Sequence, residues 1–477
     1  MPILITETLP YSSQHRHRMV VGIADLPVEL IESILFHLDP RDISKAAQSG
    51  WVFRNIVYGA DKQSFWRLLY LNQPLDDPRH TVTYLGSPRV WAVDPSHSNT
   101  PLENRYTVDP YSIDWCKDLQ RIIRAEAVVH DPTLCREGEL GEVLQALLDI
   151  TTNLPSVPFS GSPRVSRNID WVMDFLGDGI FLNSFERISP SRLTSEEKQL
   201  LARLHVWVGL TENDIEDKEK RASTRALVYN LNNYTSLNAY GPFLKDGTMR
   251  VDWVSVHALA HVYGMLQTEI SSDDSDMEME DDSDSGSDSD KERTAECRAF
   301  ATGVRLPFCQ SIIPPCMNLD RIESDWAGVE GLWKIGYCFL DDWQPTAYNV
   351  DNPDSNASMF EDDTVSEDHH AIQVRFRITG IEPNTTHPFR PRTNYSGDAL
   401  GGEFPVTGFV ELTPDNQVRW HFGGGNAELG EWNCEGIGLG SVRSPVGIVG
   451  VWTTLTHSAE DPTGPFWMHR RFHDNYS

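Results

Sequence analysis

The chain has 477 residues and a formal net charge of −30, from 40 Lys and Arg against 70 Asp and Glu. This negative field opposes binding to phosphate backbones and anionic lipid surfaces, so we expect neither a nucleic-acid partner nor a membrane partner. Hydrophobic residues make up 39% of the chain, which at this length predicts a globular protein of two or three domains.

The first residues and the cysteines bear on the compartment. Residues 1–21 are polar and rich in His and Arg, without the apolar stretch of a secretion signal, and are predicted to form a disordered tail. Seven cysteines are scattered without a Cys-x-x-Cys pair, which is typical of reduced thiols and predicts neither a disulfide framework nor a zinc module. We therefore expect an intracellular protein, in the cytoplasm, the nucleus or both.

A helical pattern occupies residues 22–72. Apolar residues recur at helical spacing after Pro27, which suits the first turn of a helix because it has no N–H to leave unpaired. Asp39 is a candidate cap for a second helix, with Asp42 completing a capping box, and Ser49 is a candidate cap for a third. A three-helix module of this size has a small core, so a partner could complete its apolar surface.

The order of specific residues in this segment resembles the F-box motif. The strings are Leu-Pro-x-Glu from Leu26, Ile-Leu-x-x-Leu-Asp-Pro-x-Asp-Ile from Ile34, and Phe-Trp-Arg from Phe65. Periodicity alone fits any three-helix bundle, whereas the ordered strings favour the F-box. F-box proteins dock on a Skp-type adaptor, which joins them to a cullin scaffold. The resemblance implies eight residues that contact the adaptor or support that contact: Leu26, Pro27, Leu30, Ile34, Leu38, Ile43, Phe53 and Trp66.

Residues 73–267 form a predicted middle region that is mainly helical with long irregular connections. Its amphipathic segments are predicted as helices at residues 115–129, 142–150, 195–208 and 254–266. An acidic linker is predicted at 268–296, because the run 271–290 has ten acidic residues and no basic ones and cannot offset its ordering entropy by burial. The serines of this run fit acid-directed phosphorylation and a solubilising spacer equally well.

From residue 297 to residue 477 the apolar pattern changes to a period of two, which predicts antiparallel strands. Residues 406–412 and 417–422 flank a Thr-Pro-Asp-Asn turn and predict a hairpin. Further strands are predicted at residues 331–340, 371–381 and 447–454. A barrel or a sandwich is expected, with a mobile acidic loop at 351–368.

Parts of this half resemble fungal F-box proteins that end in a lipocalin-like barrel. The similar strings lie at residues 240–253, 374–383, 412–420 and 436–452. The resemblance implies an α+β multidomain chain, with a three-helix F-box, a mainly helical middle region and a C-terminal antiparallel β-barrel that is lipocalin-like. It names no substrate.

No pattern in the chain predicts catalysis, a metal or a cofactor. His257 and His261 are spaced like zinc ligands on a helix, but Ala258 stands where a metalloprotease has Glu, so a structural role is expected. His369 and His370 are adjacent in an extended segment and point to opposite faces, which makes a shared metal improbable. The glycines at 423–425 and 436–440 lack the context of a phosphate loop and are predicted to form bends and bulges between strands.

Aromatic residues of the β domain are candidates for gripping a target peptide or a small ligand, although core packing is the commoner role of such residues. The candidates are Trp333, Tyr337, Trp420, Trp432 and Trp452.

The sequence thus predicts a non-catalytic substrate receptor of a Skp-cullin-F-box ubiquitin ligase. The F-box would hold the adaptor, and the β domain would select a protein for ubiquitin-dependent degradation. Two alternatives stay open: a barrel that binds a small apolar ligand, and an adaptor-binding scaffold that acts outside a cullin ligase.

Overall fold

A computed structural model describes residues 22–23, 26–59, 63–87, 113–157, 166–188, 193–277, 309–314, 317–321, 324–340, 357–361, 365–399, 405–426, 430–457 and 461–471. The predicted tail at 1–21 lies outside these residues, as does the part of the predicted acidic linker from 278 to 296. The chain divides into two compact units, residues 1–72 and 73–477.

The described part of the first unit has four helices, one more than predicted: α1 (Val28–Phe36), α2 (Pro40–Ser49), α3 (Trp51–Tyr58) and α4 (Gln63–Leu71). The additional helix is α4, where Phe65, Trp66 and Leu69 recur at helical spacing and are buried. The Trp66 Nε1–H donates to the Val57 carbonyl oxygen at 2.8 Å. This bond joins α4 to α3.

The caps of α2 and α3 differ in part from the prediction. Asp39 caps α2 as expected, because its carboxylate accepts from the backbone N–H two residues on, at 2.8 Å. Asp42 pairs with Lys45 at 2.8 Å and is not part of a capping box. The residue before α3 is Gly50, since Ser49 belongs to α2 and its Oγ donates to a carbonyl of that helix.

Eight α-helices precede the strands in the described part of the second unit: α5 (Trp115–His130), α6 (Leu140–Thr152), α7 (Arg167–Leu176), α8 (Ile180–Ile188), α9 (Ser195–Val208), α10 (Glu212–Glu216), α11 (Lys218–Val228) and α12 (Trp253–Met277). The four predicted helices are confirmed as α5, α6, α9 and α12. Helix α12 continues past residue 267, where the acidic linker was expected to begin. Glu269 on this turn pairs with Arg221 of α11, which holds it against the neighbouring helix.

Eight antiparallel strands close into a barrel in chain order: β1 (Gly331–Leu340), β2 (Glu367–Glu382), β3 (Arg392–Ala399), β4 (Pro405–Leu412), β5 (Val418–Asn426), β6 (Gly430–Gly438), β7 (Ile448–Thr454) and β8 (Thr463–Arg470). The last strand pairs with the first, with Ile335 opposite Met468. The predicted hairpin is β4–β5, with Val410 opposite Trp420. An α+β chain with a closed antiparallel barrel is therefore confirmed, and a sandwich is excluded.

The glycines predicted as bends lie mostly inside strands. Gly423–Gly425 belong to β5 and Gly436 belongs to β6. A Cβ atom at Gly436 would lie 2.7 Å from Cζ of Phe466, so this ring occupies the space of the missing side chain. The prediction of bends is wrong at these positions. These glycines make room for aromatic rings from other strands, and such contacts between distant residues leave no local pattern in the sequence. Gly440, with a φ of 70°, does lie in the bend after β6.

The predicted mobile loop at 351–368 is corrected for its described residues. Ser358–Glu361 form a short 3-10 helix, and Phe360 in it is buried and stacks with Tyr229 at 6.3 Å between ring centroids. Glu367 begins β2, and its carboxylate pairs with the guanidinium of Arg225, both side chains being buried. An apolar ring and a buried ion pair hold these residues in place. Residues 351–356 and 362–364 lie outside the described part of the chain.

The helical layer packs on the outer face of the barrel, where α12 runs along β7 and β8. The Tyr263 hydroxyl on α12 lies 2.8 Å from His369 Nε2, and its ring contacts Trp467 at 6.1 Å between centroids. None of the helices in the described ranges combines the length and the hydropathy needed to span a bilayer.

Candidate functional site

Helix α1 has one buried face and one exposed apolar face. Ile31 and Leu35 are buried, at 1% and 2% exposure, whereas Leu30 and Ile34 are 52% and 45% exposed. Residues four apart lie on the same face of a helix, and Leu38, 38% exposed, follows at the helix end. We call Leu30, Ile34 and Leu38 the α1 ridge.

The other residues predicted to serve the adaptor contact have different positions. Pro27 is exposed at the start of α1, and Leu26 and Phe53 are half-buried. Ile43 and Trp66 are buried, at 0% and 3% exposure. These two side chains pack inside the unit, which is a supporting position; the resemblance allowed such a position for Ile43 and implied it for Trp66.

The five aromatic candidates of the barrel do not form one site. Trp333 and Trp420 meet inside the barrel, 5.3 Å apart between ring centroids, and are 4% and 2% exposed. Tyr337 on β1 and Trp452 on β7 meet at 5.8 Å, and Trp432 lies on β6, the strand that pairs with β7. These last three residues are half-buried. The first pair is buried, which is the core packing given above as the commoner role of such residues.

Two further aromatic residues join Tyr337 and Trp452: Phe339, which the sequence analysis missed, and His370, which it weighed only as a metal ligand. The Phe339 and His370 rings stack at 5.5 Å, and His370 also stacks with Tyr337 at 5.7 Å. We call these four residues the aromatic rim. Tyr337 and Phe339 lie near the end of β1 and His370 lies near the start of β2, whereas Trp452 reaches them from β7. The period of two places Tyr337 and Phe339 on one face of β1, and the adjacent His369 points to the opposite face, as predicted.

The Trp333 and Trp420 pair lines a cavity of about 430 Å³, which we call the barrel cavity. Small-molecule sites in proteins commonly measure about 300–1,000 Å³. The wall combines strand residues with residues from segments outside the strands, and its main apolar members are Tyr84, Met317, Trp333, Val418, Trp420 and Ile448. The sequence could not indicate this cavity, because its wall is assembled from segments that are distant in the chain.

Polar groups are sparse in the cavity wall. Burial raises the pKa of Tyr84 to about 12 despite the nearby charge of Arg203, so the phenol is neutral at pH 7. Its hydroxyl donates to the Gly438 carbonyl oxygen at 3.3 Å. Ser441 is 2% exposed, and its Oγ is buried without a hydrogen-bond partner among the described residues.

The histidines weighed as zinc ligands belong to a buried polar cluster. His205 Nε2 lies 2.9 Å from the Asp214 carboxylate, which also accepts from Lys220 Nζ at 2.8 Å. His257 stacks on His205 with ring centroids 4.3 Å apart, and His261 lies 6.2 Å from His257. Within the described ranges, no group of three or more His, Cys, Asp or Glu could hold a metal ion.

The cluster shifts the pKa values of its members. Burial acts to raise the pKa of Asp214, but the hydrogen bond from His205 and the Lys220 charge outweigh it and hold that pKa below its usual range. Burial, followed by the Lys220 charge, lowers the pKa of His261 to about 3. Burial, followed by the charge of His205, holds the pKa of His257 well below its usual range. His257 and His261 are therefore neutral at pH 7.

Comparisons with family models, with curated proteins and with solved structures found no match to this chain. The candidate sites of the chain therefore rest on its own geometry and chemistry, and there are three among the described residues. The α1 ridge is an exposed apolar row, the aromatic rim joins three half-buried rings to the exposed His370, and the barrel cavity is a mainly apolar pocket.

Proposed function

We propose that the chain is the non-catalytic substrate receptor of a Skp-cullin-F-box ubiquitin ligase. The observation that carries this proposal is the α1 ridge. Its side chains remain in water at positions that the F-box resemblance assigns to the adaptor contact. Full burial of one Leu or Ile side chain contributes about 1.5–3 kcal/mol, so the ridge can supply the core of an interface.

The resemblance to fungal F-box proteins adds support from the other end of the chain. Those proteins end in a lipocalin-like barrel, and the barrel of this chain closes in chain order from β1 to β8. An up-and-down closure of eight strands is the arrangement of lipocalins. We therefore assign the first unit to an F-box and the barrel to the lipocalin-like type as parts of the same proposal.

In this proposal the barrel unit selects the protein target through the aromatic rim. Half-buried rings offer large contact areas, and aromatic residues are enriched at protein interfaces. The receptor holds lysines of the target close to a ubiquitin-carrying enzyme, and that enzyme performs the acyl transfer. The receptor itself supplies proximity.

Adaptor binding by the full chain is the direct test. The double variant Leu30→Ala, Ile34→Ala should bind a Skp adaptor about a hundredfold more weakly, since each lost side chain costs about 1.4 kcal/mol or more. Both side chains are exposed, so the variant should keep its fold. Leu68→Ala on α4 removes a leucine that is 51% exposed and lies outside the ridge. This matched control should bind like the wild type.

The readout is co-purification with adaptor and cullin, followed by titration of the adaptor. A wild-type chain that fails to bind the adaptor, or a double variant that binds as tightly as the wild type, contradicts the proposal. Binding of the adaptor without recruitment of the cullin would favour the scaffold role.

A further inference from the structure

The four rings of the aromatic rim form a closed circuit at one end of the barrel. Tyr337 and Phe339 each contact both His370 and Trp452, with ring centroids 5.5–6.2 Å apart. The Trp452 Nε1–H donates to the Cys338 carbonyl oxygen at 2.9 Å, which fixes this ring against β1. A cation at the rim can lie within about 6 Å of several ring centroids at once, which is the range of cation–π attraction.

The barrel interior next to the rim is filled. Phe466 is opposite Tyr337 in the sheet and is 0% exposed, and Ile335, on the same face of β1, is 2% exposed. The His370 side chain is 49% exposed. The barrel cavity is lined by Leu439–Ser444, which follow β6 at the opposite end. A ligand at the rim therefore lies on the surface of the barrel end, apart from the barrel cavity.

The two ends of the barrel differ in charge. Because the strands close in chain order, alternate connections begin and end at the same end of the barrel. The connections at the rim end are residues 341–366, 400–404, 427–429 and 455–462. Those at the opposite end are residues 383–391, 413–417 and 439–447. The first set contains eleven Asp or Glu and no Lys or Arg, whereas the second contains one Asp and two Arg. The rim end therefore attracts a basic segment.

A described carboxylate lies beside the rings. Asp368 is on the same face of β2 as His370, its carboxylate lies 3.6 Å from His370 Nε2, and its side chain is 58% exposed. Asp398 at the end of β3 and Glu431 at the start of β6 are exposed as well. A guanidinium is planar and weakly hydrated, stacks on aromatic faces and pairs with carboxylates. Arginine therefore suits this combination of groups better than lysine.

We propose that the aromatic rim and Asp368 bind an arginine in a basic segment of the protein target. The guanidinium contacts the rings and pairs with the carboxylate, and the acidic connections attract the rest of the segment. This inference rests on the proposed function, because it names the class of target that the rim selects. Adaptor docking depends on the α1 ridge, in the unit of residues 1–72, and has its own test.

Titration calorimetry of the full chain with a short peptide of alternating glycine and arginine, blocked at both ends, tests the proposal. One control peptide has lysine in place of arginine, with the same charge, and another has citrulline, which keeps the shape without the charge. The arginine peptide should bind at least about tenfold more tightly than the citrulline peptide and several-fold more tightly than the lysine peptide. Equal binding of the citrulline peptide, or no saturable binding of the arginine peptide, overturns the proposal. Equal binding of the lysine peptide overturns the choice of arginine.

A charge variant locates the site. Asp368→Asn changes an exposed side chain, so the fold should be retained. Glu382→Gln is the matched control, because this residue ends the same strand at the opposite end of the barrel and its side chain is 60% exposed. Asp368→Asn should bind the arginine peptide several-fold more weakly, while the control should bind it like the wild type. Equal affinities in the two variants would overturn the assignment of the site.

A ring variant tests the aromatic contact. Phe339→Leu keeps an apolar side chain but removes an aromatic face, so the preference for arginine over lysine should fall by about two- to fivefold. An undiminished preference would exclude the ring from recognition. Adaptor titration of the wild type separates this inference from the proposed function. A chain that binds the adaptor but not the arginine peptide contradicts the arginine site alone, and one that binds the peptide but not the adaptor contradicts the receptor role alone.

Discussion

The two compact units treat their apolar side chains in opposite ways. In the first unit Leu30, Ile34 and Trp51 remain 52%, 45% and 77% exposed, whereas the barrel buries Phe422 and Phe466 at 0% exposure. A module of about fifty residues buries a small share of its surface, but closing a barrel pairs every strand edge. The barrel is therefore stabilised by contacts within itself, whereas the exposed α1 ridge of the first unit is suited to an interface with a partner.

The largest effect on this comparison is expected from the barrel interior. Phe466→Ala removes a fully buried ring that contacts Phe422 at 5.3 Å, and such a truncation lowers the free energy of unfolding by about 3–5 kcal/mol. Leu455→Ala, at a residue 50% exposed, should cost about 0.5 kcal/mol or less. Urea denaturation monitored by tryptophan fluorescence measures both. Equal losses would show that the interior is not the stabilising core.

Within α1, two isoleucines three residues apart allow a buried and an exposed side chain of the same type to be compared. Ile31 is 1% exposed and Ile34 is 45% exposed. Ile31→Ala should destabilise the first unit by about 3 kcal/mol, while Ile34→Ala should leave its stability nearly unchanged and weaken only adaptor binding. Hydrogen exchange of the first unit in the full chain reads out the stability. If amide hydrogens of the first unit exchanged faster in the Ile34 variant than in the wild type, the α1 ridge would be part of the stabilising core.

The histidine cluster makes the stability of the second unit depend on pH. The pKa of His261 is about 3 in the fold, because of burial and then the Lys220 charge, against 6.5 in the unfolded chain. Between these values only the unfolded chain binds the proton, so the free energy of unfolding falls as the pH falls below 6.5. From pH 7 to pH 5 this group alone removes about 2 kcal/mol.

Denaturation at pH 7 and at pH 5 checks this sign and size. The variant His261→Gln should lose less stability on acidification than the wild type. His80→Gln changes an imidazole that is 79% exposed, and this control should keep the wild-type pH dependence. An identical loss in all three proteins would remove His261 as the cause.

The smallest effect is expected in the helical layer outside the barrel. Thr194 caps α9 in a capping box: its Oγ1 accepts from the Glu197 N–H at 3.2 Å, and the Glu197 carboxylate accepts from the Thr194 N–H at 2.9 Å. Thr194→Ala should cost about 1 kcal/mol, and Ser195→Ala should be nearly neutral. Thermal unfolding of the two variants compares them. A neutral Thr194 variant would show that packing alone holds this helix.

Local periodicity predicted the elements in which side chains alternate or recur strongly. The hairpin β4–β5 and the helix α9 are examples. Strands β3, β6 and β8 were missed. Strand β3 contains Asn394 and Gly397, β6 is interrupted by Gly436 and Gly438, and β8 contains Gly464 and Pro465, all of which locally disfavour a strand. Pairing with neighbours on both sides places them in the sheet all the same.

The candidate sites show the same limit. The F-box resemblance named Leu30 and Ile34, whereas helical spacing alone placed them in one apolar stripe with Ile31 and Leu35. No spacing could indicate that Trp333 meets Trp420, or that His370 meets Tyr337, because these pairs depend on the register and closure of the barrel. The motif also could not show that Ile43 is buried while the residues of the α1 ridge are exposed.

The rings that fill the glycine positions have a consequence for how the chain is made. Strands β5 and β6 carry glycines where inward side chains would otherwise guide pairing, and glycine-rich strands specify their register weakly. At Gly436 the missing contact comes from Phe466 on β8, the last strand to emerge during synthesis. We expect the strands made before β8 to keep unpaired edges and exposed apolar side chains until β8 is available. At that stage the chain is prone to aggregation, and we expect chaperones to be needed.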